Sequence, residues 1–270
     1  MAGLRSGPER EAADRVRRRG RGFRFSPRGR AGTCLHDILE HCSFTESEHA
    51  ELIRETLLRH GFEAEREPVV ATMLAGVRNT ALDDEGRIRL RQIERHQRLD
   101  ELEFYYPLAG LRAEMLRRLL DEFGFGTEWG LPERIGRLEF AVRRGYMKGF
   151  IDLIFEQEGR YYLVDYKSNW LGARLEDYAR ERLGIAMAEH GYHLQYLVYL
   201  VALHRYLRTR LPDYRYETHI GGVFYLFLRG LSPEHGPAYG VFADRPPQAL
   251  IEALDQYLAT GEWEGAFDVA

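Results

Sequence analysis

The middle of the chain carries the strongest pattern of β structure. Residues 145–155 and 160–167 are rich in β-branched and aromatic side chains, and the run Glu-Gln-Glu-Gly at 156–159 separates them as a turn. We therefore predict two strands joined as a hairpin. A further strand is predicted over 219–229, and residues 232–247, rich in Pro and Gly, are predicted to form a loop.

Helical periodicity surrounds this β-rich centre. Leu35, Ile38, Leu39 and Cys42 give one helix an apolar face, and Thr33 is its predicted N-cap. The remaining predicted helices cover 46–59, 68–74, 108–123, 176–190, 192–210 and 248–260, and the remaining predicted strands cover 88–91, 99–106 and 138–142. Such a pattern predicts an α/β fold in which helices flank a mixed sheet.

Composition indicates a globular protein with a substantial core, because 44% of the 270 residues are hydrophobic and 12% are aromatic. We predict a basic tail or linker over 1–22 and one domain over 23–270. The sequence has no apolar run of membrane-spanning length and no apolar signal segment, so we expect a cytoplasmic protein without a membrane partner.

Cys34 and Cys42 would lie roughly 12 Å apart on one helix, too far for a disulfide, so both are expected to be reduced. The net charge of −4 argues mildly against a protein that coats DNA, although it says little about a local groove.

Three charged residues interrupt the two apolar strands of the hairpin. Asp152 lies within the first strand, whereas Asp165 and Lys167 end the second. Side chains alternate across a strand, so Asp165 and Lys167 project from one face, and the hairpin can bring Asp152 beside them. Two carboxylates can hold a hard divalent cation, and a nearby ammonium can offset charge in phosphodiester hydrolysis. A bare Asp-x-Lys could also be an ordinary ion pair at a strand end.

Several longer motifs then identify a family. They are Asp-Tyr-Lys-Ser-Asn-Trp-Leu-Gly at 165–172, Ala-Glu-His-Gly-Tyr-His-Leu-Gln-Tyr at 188–196, Gly-Gly-Val-Phe-Tyr-Leu-Phe-Leu-Arg-Gly at 221–230, and Arg-Ala-Gly-Thr with His36 near the start. These motifs, in their order along the chain, resemble the RecB-type nuclease domains of the PD-(D/E)XK superfamily. The resemblance extends from about Phe23 to the end of the chain. It implies a restriction-endonuclease-like α/β fold, with a mixed sheet flanked by helices.

The resemblance also implies roles for individual residues. Asp152, Asp165 and Lys167 would be catalytic, and Mg²⁺ would be the metal. His36, Asp152, Asp165 and the main-chain carbonyl of Tyr166 would hold that metal.

Four more residues have implied or alternative roles around this centre. Gln195 and Tyr199 would point from one helix face toward the site or the DNA strand, with helix packing as the alternative. Glu40 either orients His36 or is simply solvated. Glu103 resembles a recurring glutamate of the family, but we do not expect it to be a ligand.

The resemblance implies a metal-dependent deoxyribonuclease of the exodeoxyribonuclease V type, which acts in recombinational repair and degrades linear DNA. Expected partners are single-stranded DNA or duplex ends, RecC-like and RecD-like subunits, and the RecA recombinase. No Gly-Lys dipeptide occurs, so the chain has no Walker A motif for a helicase. The chain could be a fragment, a split gene product or a stand-alone nuclease. The alternatives to an enzyme are a non-catalytic RecA-docking module and a structural remnant.

Overall fold

Within the part of the chain that the structure describes, five strands form one mixed sheet in the order β1-β2-β3-β4-β5. The computed structural model of the chain describes residues 29–136, 143–263 and 265, so the predicted tail over 1–22 and the predicted strand over 138–142 lie outside the described residues. The strands are β1 (Arg98–Leu111), β2 (Arg143–Gln157), β3 (Arg160–Lys167), β4 (Ile220–Phe227) and β5 (Val241–Asp244). Only β3 and β4 pair in parallel; the other neighbours are antiparallel.

Helices cover both faces of the sheet. The α-helices in the described part of the chain are α1 (Arg30–His41), α2 (Ala50–Arg59), α3 (Glu67–Asn79), α4 (Ala113–Glu122), α5 (Leu131–Gly136), α6 (Arg180–Glu189), α7 (Tyr192–Arg210), α8 (Tyr216–His219) and α9 (Gln248–Thr260). Helices α1 to α3 pack on one face of the sheet, and α4 to α9 build the core on the other. None of these described helices combines the length and apolarity needed to cross a membrane.

The predicted fold class is confirmed, and several elements match the prediction to the residue. β3, α7 and α9 have the predicted bounds, and Gly261 ends α9 with a φ of 78°, a backbone conformation that glycine adopts without strain. Cys34 and Cys42 are buried free thiols, as expected.

Other predicted elements are wrong in type or extent. Residues 88–91 are not a strand, because Leu90–Gln92 forms a 3₁₀ turn in which the Arg89 N–H donates to the Gln92 side chain. Residues 108–111 belong to β1 rather than to a helix, since Leu108 pairs with Gly145. The predicted loop over 232–247 contains β5, which is only four residues long.

Helix starts were the commonest error at the ends of elements. Thr33 is not the N-cap of α1, which begins three residues earlier, and its hydroxyl donates to the Gly29 carbonyl at 3.1 Å. α2 and α6 begin four residues later than predicted, and α3 runs five residues further, to Asn79. None of these shifts moves a predicted site residue to another element.

The sheet forks between β2 and β3. Their ladder runs from Gln157↔Arg160 only to Leu153↔Val164, whereas β2 stays paired with β1 as far as Arg143. β3 meanwhile stays paired with β4 to its last residue, Lys167. The β1–β2 ribbon therefore diverges from the rest of the sheet on the N-terminal side of Leu153.

The β1–β2 ribbon changes faces at the fork. Leu153 belongs to the core with helices α1 to α3, whereas Ile151 belongs to the core with helices α4 to α9, although residues two apart on a regular strand share a face. The register places Glu101 opposite Asp152 at this point, and Glu101 has a φ of 51°, which is rare for a residue with a side chain. Strained backbone of this kind often marks functional positions.

Candidate active site

Helix α1 brings His36 to the fork because its first turn lies close to β3. A Cβ on Gly32 would lie 3.0 Å from the Ser168 hydroxyl, so only glycine fits there without displacing its neighbour. One turn later, His36 Nε2 lies 3.0 Å from the Tyr166 main-chain oxygen, and Nδ1 lies 3.4 Å from Asp152 Oδ1. The Gly-Thr-x-x-His spacing thus couples a close helix approach to placement of the imidazole.

Asp152 links the two sides of the fork. Its Oδ2 accepts a hydrogen bond of 2.8 Å from the Tyr166 main-chain N–H, and its Oδ1 faces His36. The ladder of β2 and β3 has already ended, so the side chain replaces the missing strand-to-strand hydrogen bond. Asp152 and the Tyr166 main chain are therefore neighbours, and both contact His36.

Glu101 joins this group, although the sequence analysis did not identify it. Ligand atoms of His36, Glu101 and Asp152 all lie within 4.8 Å of one another. Burial and the negative charge of Asp152 raise the pKa of Glu101. The sequence pointed to Glu101 only through the alternation of polar and apolar residues in Glu-Leu-Glu-Phe at 101–104. That alternation could not distinguish Glu101 from Glu103, because the sequence does not give the register of β1 on β2.

Asp165 and Lys167 form an ion pair at the buried end of β3. Lys167 Nζ lies 2.6 Å from Asp165 Oδ2, and their side chains are 10% and 4% exposed. Burial, reinforced by the charge of Asp152, raises the pKa of Asp165 to about 7, while Lys167 opposes the shift. The carboxyl of Asp165 thus interacts electrostatically with Asp152 but lies outside the 4.8 Å cluster of His36, Glu101 and Asp152.

Helix α7 and strand β4 hold the lysine in place. Lys167 Nζ donates to Gln195 Oε1 at 3.0 Å and lies 3.8 Å from the centre of the Tyr192 ring, a cation–π geometry. Gln195 in turn donates to the Tyr199 hydroxyl at 2.8 Å and accepts from the Tyr225 hydroxyl at 3.1 Å. Gln195 therefore contacts the predicted catalytic lysine directly, and Tyr199 supports Gln195 from behind.

Two residues that the sequence left ambiguous have other contacts. Glu40 lies 4.0 Å from His41, and His36 is oriented instead by the Tyr166 carbonyl and Asp152. Glu103 pairs with Lys148 at 2.7 Å on the exposed face of the ribbon. Both observations agree with leaving Glu40 and Glu103 out of the ligand set.

The donor set suits a hard divalent cation. Two carboxylates, a main-chain carbonyl and one imidazole converge, and Mg²⁺, Mn²⁺ and Ca²⁺ favour oxygen ligands of this kind. Burial and the negative charge of Asp152 raise the pKa of both Glu101 and Asp165, so each of these carboxyls is disfavoured as an anion beside Asp152. A cation bound beside Asp152 would lower that cost.

Comparison with known proteins agrees with this geometry. The PD-(D/E)XK nuclease superfamily matches residues 10–268. The chain is 44% identical over 235 residues to RecBCD enzyme subunit RecB of Escherichia coli strain K12, covering 86% of this chain and 19% of that protein. The same subunit of Haemophilus influenzae is 38% identical over 236 residues, which cover 85% of this chain and 18% of that protein. The subunit of Mycobacterium tuberculosis H37Rv is 36% identical over 257 residues, which cover 85% of this chain and 24% of that protein.

This chain thus spans about a fifth of the length of these curated relatives. The family match over residues 10–268 includes the fork, the strand that carries the ion pair and the helix that carries the imidazole, so sequence and geometry support one assignment. The chain belongs to the PD-(D/E)XK nuclease superfamily.

Proposed function

We propose that this chain hydrolyses phosphodiester bonds of DNA as a Mg²⁺-dependent deoxyribonuclease of the exodeoxyribonuclease V type. The observation that carries the proposal is the convergence of His36, Glu101, Asp152 and the Tyr166 carbonyl beside the Asp165–Lys167 ion pair. Membership of the nuclease superfamily and identity to RecB support the reaction and the substrate.

In this proposal the ligands of a divalent cation are His36, Asp152, Asp165 and the Tyr166 carbonyl, joined by Glu101. When bound, the cation would neutralise charge on the scissile phosphate and acidify a nearby water. The main-chain N–H of Tyr166 fixes the Asp152 carboxylate in advance, and packing of Gly32 against Ser168 fixes the imidazole. Pre-organised ligands lose little conformational entropy when the cation binds.

Lys167 is the proposed catalytic cation. Its ammonium is held by Asp165, Gln195 and the Tyr192 ring, so it is restrained by contacts on several sides. A fixed ammonium beside the scissile phosphate can stabilise the charge that develops as the bond breaks, and it requires no rearrangement during the reaction. Gln195 and Tyr199 act in this proposal as positioning residues for Lys167 rather than as groups that touch DNA.

We base proposals for the partners and the cellular process on the name of the relatives. That name denotes a subunit of a RecBCD enzyme, so RecC-like and RecD-like subunits are proposed partners, and DNA repair and recombination the proposed process. RecA is a further proposed partner, and we place the protein in the cytoplasm, where this DNA would be found. Copurification of tagged chain with its host's RecC, RecD and RecA homologues tests these partners separately from catalysis.

A cleavage assay tests the activity itself. The purified chain is mixed with linear single-stranded and duplex DNA, with Mg²⁺ or with EDTA, at low salt and at about 0.2 M salt. We expect cleavage that needs the metal and weakens at the higher salt, since each phosphate contact releases counterions and the chain has a net charge of −4. Glu103→Gln, outside the cluster, is the matched control. DNA cleavage that persists in EDTA, or none with any divalent cation, contradicts the proposal.

A further inference from the structure

The β1–β2 ribbon carries an exposed aromatic surface beyond the fork. Tyr105 and Tyr146 are 62% and 64% exposed, and Phe150 is 44% exposed. We call this surface, with Lys148, the aromatic stripe. Soluble proteins seldom leave several large apolar side chains together on one face without a partner for them.

The stripe is continuous with the metal-ligand cluster. The register pairs Glu103 with Phe150 and Tyr105 with Lys148, and the same count places Glu101 opposite Asp152. Residues paired across a ladder share a face of the sheet, and so do residues two apart along a strand. The alternating exposed positions of β1, which include Glu101, Glu103 and Tyr105, follow this rule. At about 3.3 Å per residue, the six steps from Asp152 to Tyr146 cover roughly 20 Å. The stripe is therefore a path that ends at the proposed site.

The rings of the stripe are arranged for stacking. Tyr105 and Tyr146 lie face to face, with centroids 4.6 Å apart and ring planes within 9°, yet both remain mostly exposed. A flat ligand can extend this stack on an outer face. Lys148 lies 5.3 Å from the centre of the Phe150 ring, and its ammonium forms an ion pair with Glu103. Aromatic faces, rather than net positive charge, dominate the stripe.

We propose that the aromatic stripe binds a single nucleic-acid strand by base stacking and guides it into the site at the fork; this inference rests on the proposed nuclease function. Every base has an aromatic face, so stacking tolerates any sequence, as a nuclease that degrades linear DNA would need. The continuity of the stripe with the site favours a strand over a protein partner as the occupant. The stripe's contribution to affinity is largely independent of salt, because it does not come from phosphate contacts.

Binding is tested first, without cleavage. The full chain in EDTA is titrated into a fluorescent oligothymidylate of about 20 nucleotides, and anisotropy reports the Kd. One tyrosine-to-leucine change should raise Kd about tenfold, and Tyr105→Leu/Tyr146→Leu at least thirtyfold, with the same ratios at low and higher salt. Tyr105→Phe/Tyr146→Phe should bind like the wild type. Tyr206→Leu, on α7 where Arg210 contacts its ring, is the control for a lost tyrosine elsewhere.

Cleavage of the same strand with Mg²⁺ separates this inference from the proposed function. The double leucine variant should show a raised KM with kcat within about twofold, and an unchanged melting temperature, since both side chains are exposed. If neither the wild type nor any variant cuts DNA but the leucine changes still weaken binding, the strand-binding proposal is supported and the nuclease proposal fails. If wild type cuts the strand and the double leucine variant keeps the wild-type Kd and KM, the stripe proposal is overturned. Undetectable binding of the strand by wild type overturns it as well.

Discussion

The proposed active site has two unlike halves. The buried half, Asp165 and Lys167 at the end of β3, is nearly closed to solvent and internally paired. The open half, His36, Glu101 and Asp152, lies where α1 meets the diverging ribbon, and its His36 and Asp152 side chains are 29% and 14% exposed. The buried half is held by the core, whereas the open half is assembled from elements that meet only at the fork.

This difference separates what each half contributes. The ammonium of Lys167 needs a fixed position and low solvent access, because both strengthen its effect on a phosphate. A cation must enter and leave, which requires ligands that solvent can reach. We therefore expect changes in the buried half to alter catalysis and the pH dependence of folding, and changes in the open half to alter metal affinity. Four predictions test this division.

The largest effect is expected from Asp165→Asn. The change keeps the shape of the side chain but removes the charge that pairs with Lys167 and that is proposed to bind the metal, so cleavage should fall at least a thousandfold while the fold remains intact. Steady-state cleavage in saturating Mg²⁺ and circular dichroism measure the two outcomes. Residual activity above about a tenth of wild type would rule out Asp165 as a metal ligand and catalytic group.

Two neighbouring glutamates test which carboxylate of β1 belongs to the open half. Glu101→Gln should lower cleavage about tenfold to a hundredfold at limiting Mg²⁺, because it removes a carboxylate from the cluster. Glu103→Gln, two residues away and paired with Lys148, should stay within about twofold of wild type. Activity measured across a Mg²⁺ titration gives the comparison. Equal losses in both variants would mean that Glu101 acts only through the general charge of the ribbon.

His36→Ala tests whether the open half binds metal through its imidazole. Metal affinity should fall about tenfold, and high Mg²⁺ should restore much of the cleavage, because the carboxylates remain. Titration calorimetry measures the affinity directly, with His235→Ala, an exposed histidine outside the metal-ligand cluster, as the control. Identical calorimetric affinities in wild type and His36→Ala would make His36 a structural residue.

The smallest effect concerns stability without metal. Burial raises the folded-state pKa of Asp165 to about 7, so between its unfolded value near 4 and pH 7 the folded state binds the extra proton. Stability should therefore decrease as pH rises through about 7. The raised pKa values of His36 and Glu101 act in the same direction. Melting temperatures in EDTA from pH 5.5 to 8.5 should fall by about a few degrees in wild type.

Asp165→Asn should show a shallower fall over the same pH range, since the amide does not titrate. Glu103→Gln is again the control and should retain the wild-type slope. A wild-type melting temperature that rises from pH 6 to 8 in EDTA would show that Asp165 is already ionised at low pH, and the description of the buried half would be wrong.

The sequence by itself determined the elements whose signals are local. The strand over 160–167, the helices over 192–210 and 248–260, and the position of Asp165 and Lys167 on one strand face all follow from periodicity, turn residues and alternation. The spacing of Gly32 and His36 also carried local information, because one helical turn separates the close contact from the imidazole. Motif resemblance added the roles that are proposed for these residues.

Only the tertiary structure decided the composition of the open half. Glu101 and Glu103 have the same local pattern, yet one joins the cluster and the other pairs with Lys148, because the pairing of β1 with β2 sets their places. That pairing joins segments separated by α4 and α5, so no turn fixes its register in the sequence. The change of faces at Asp152 likewise appears only in the packing, since Leu153 belongs to the core with helices α1 to α3 and Ile151 to the core with helices α4 to α9.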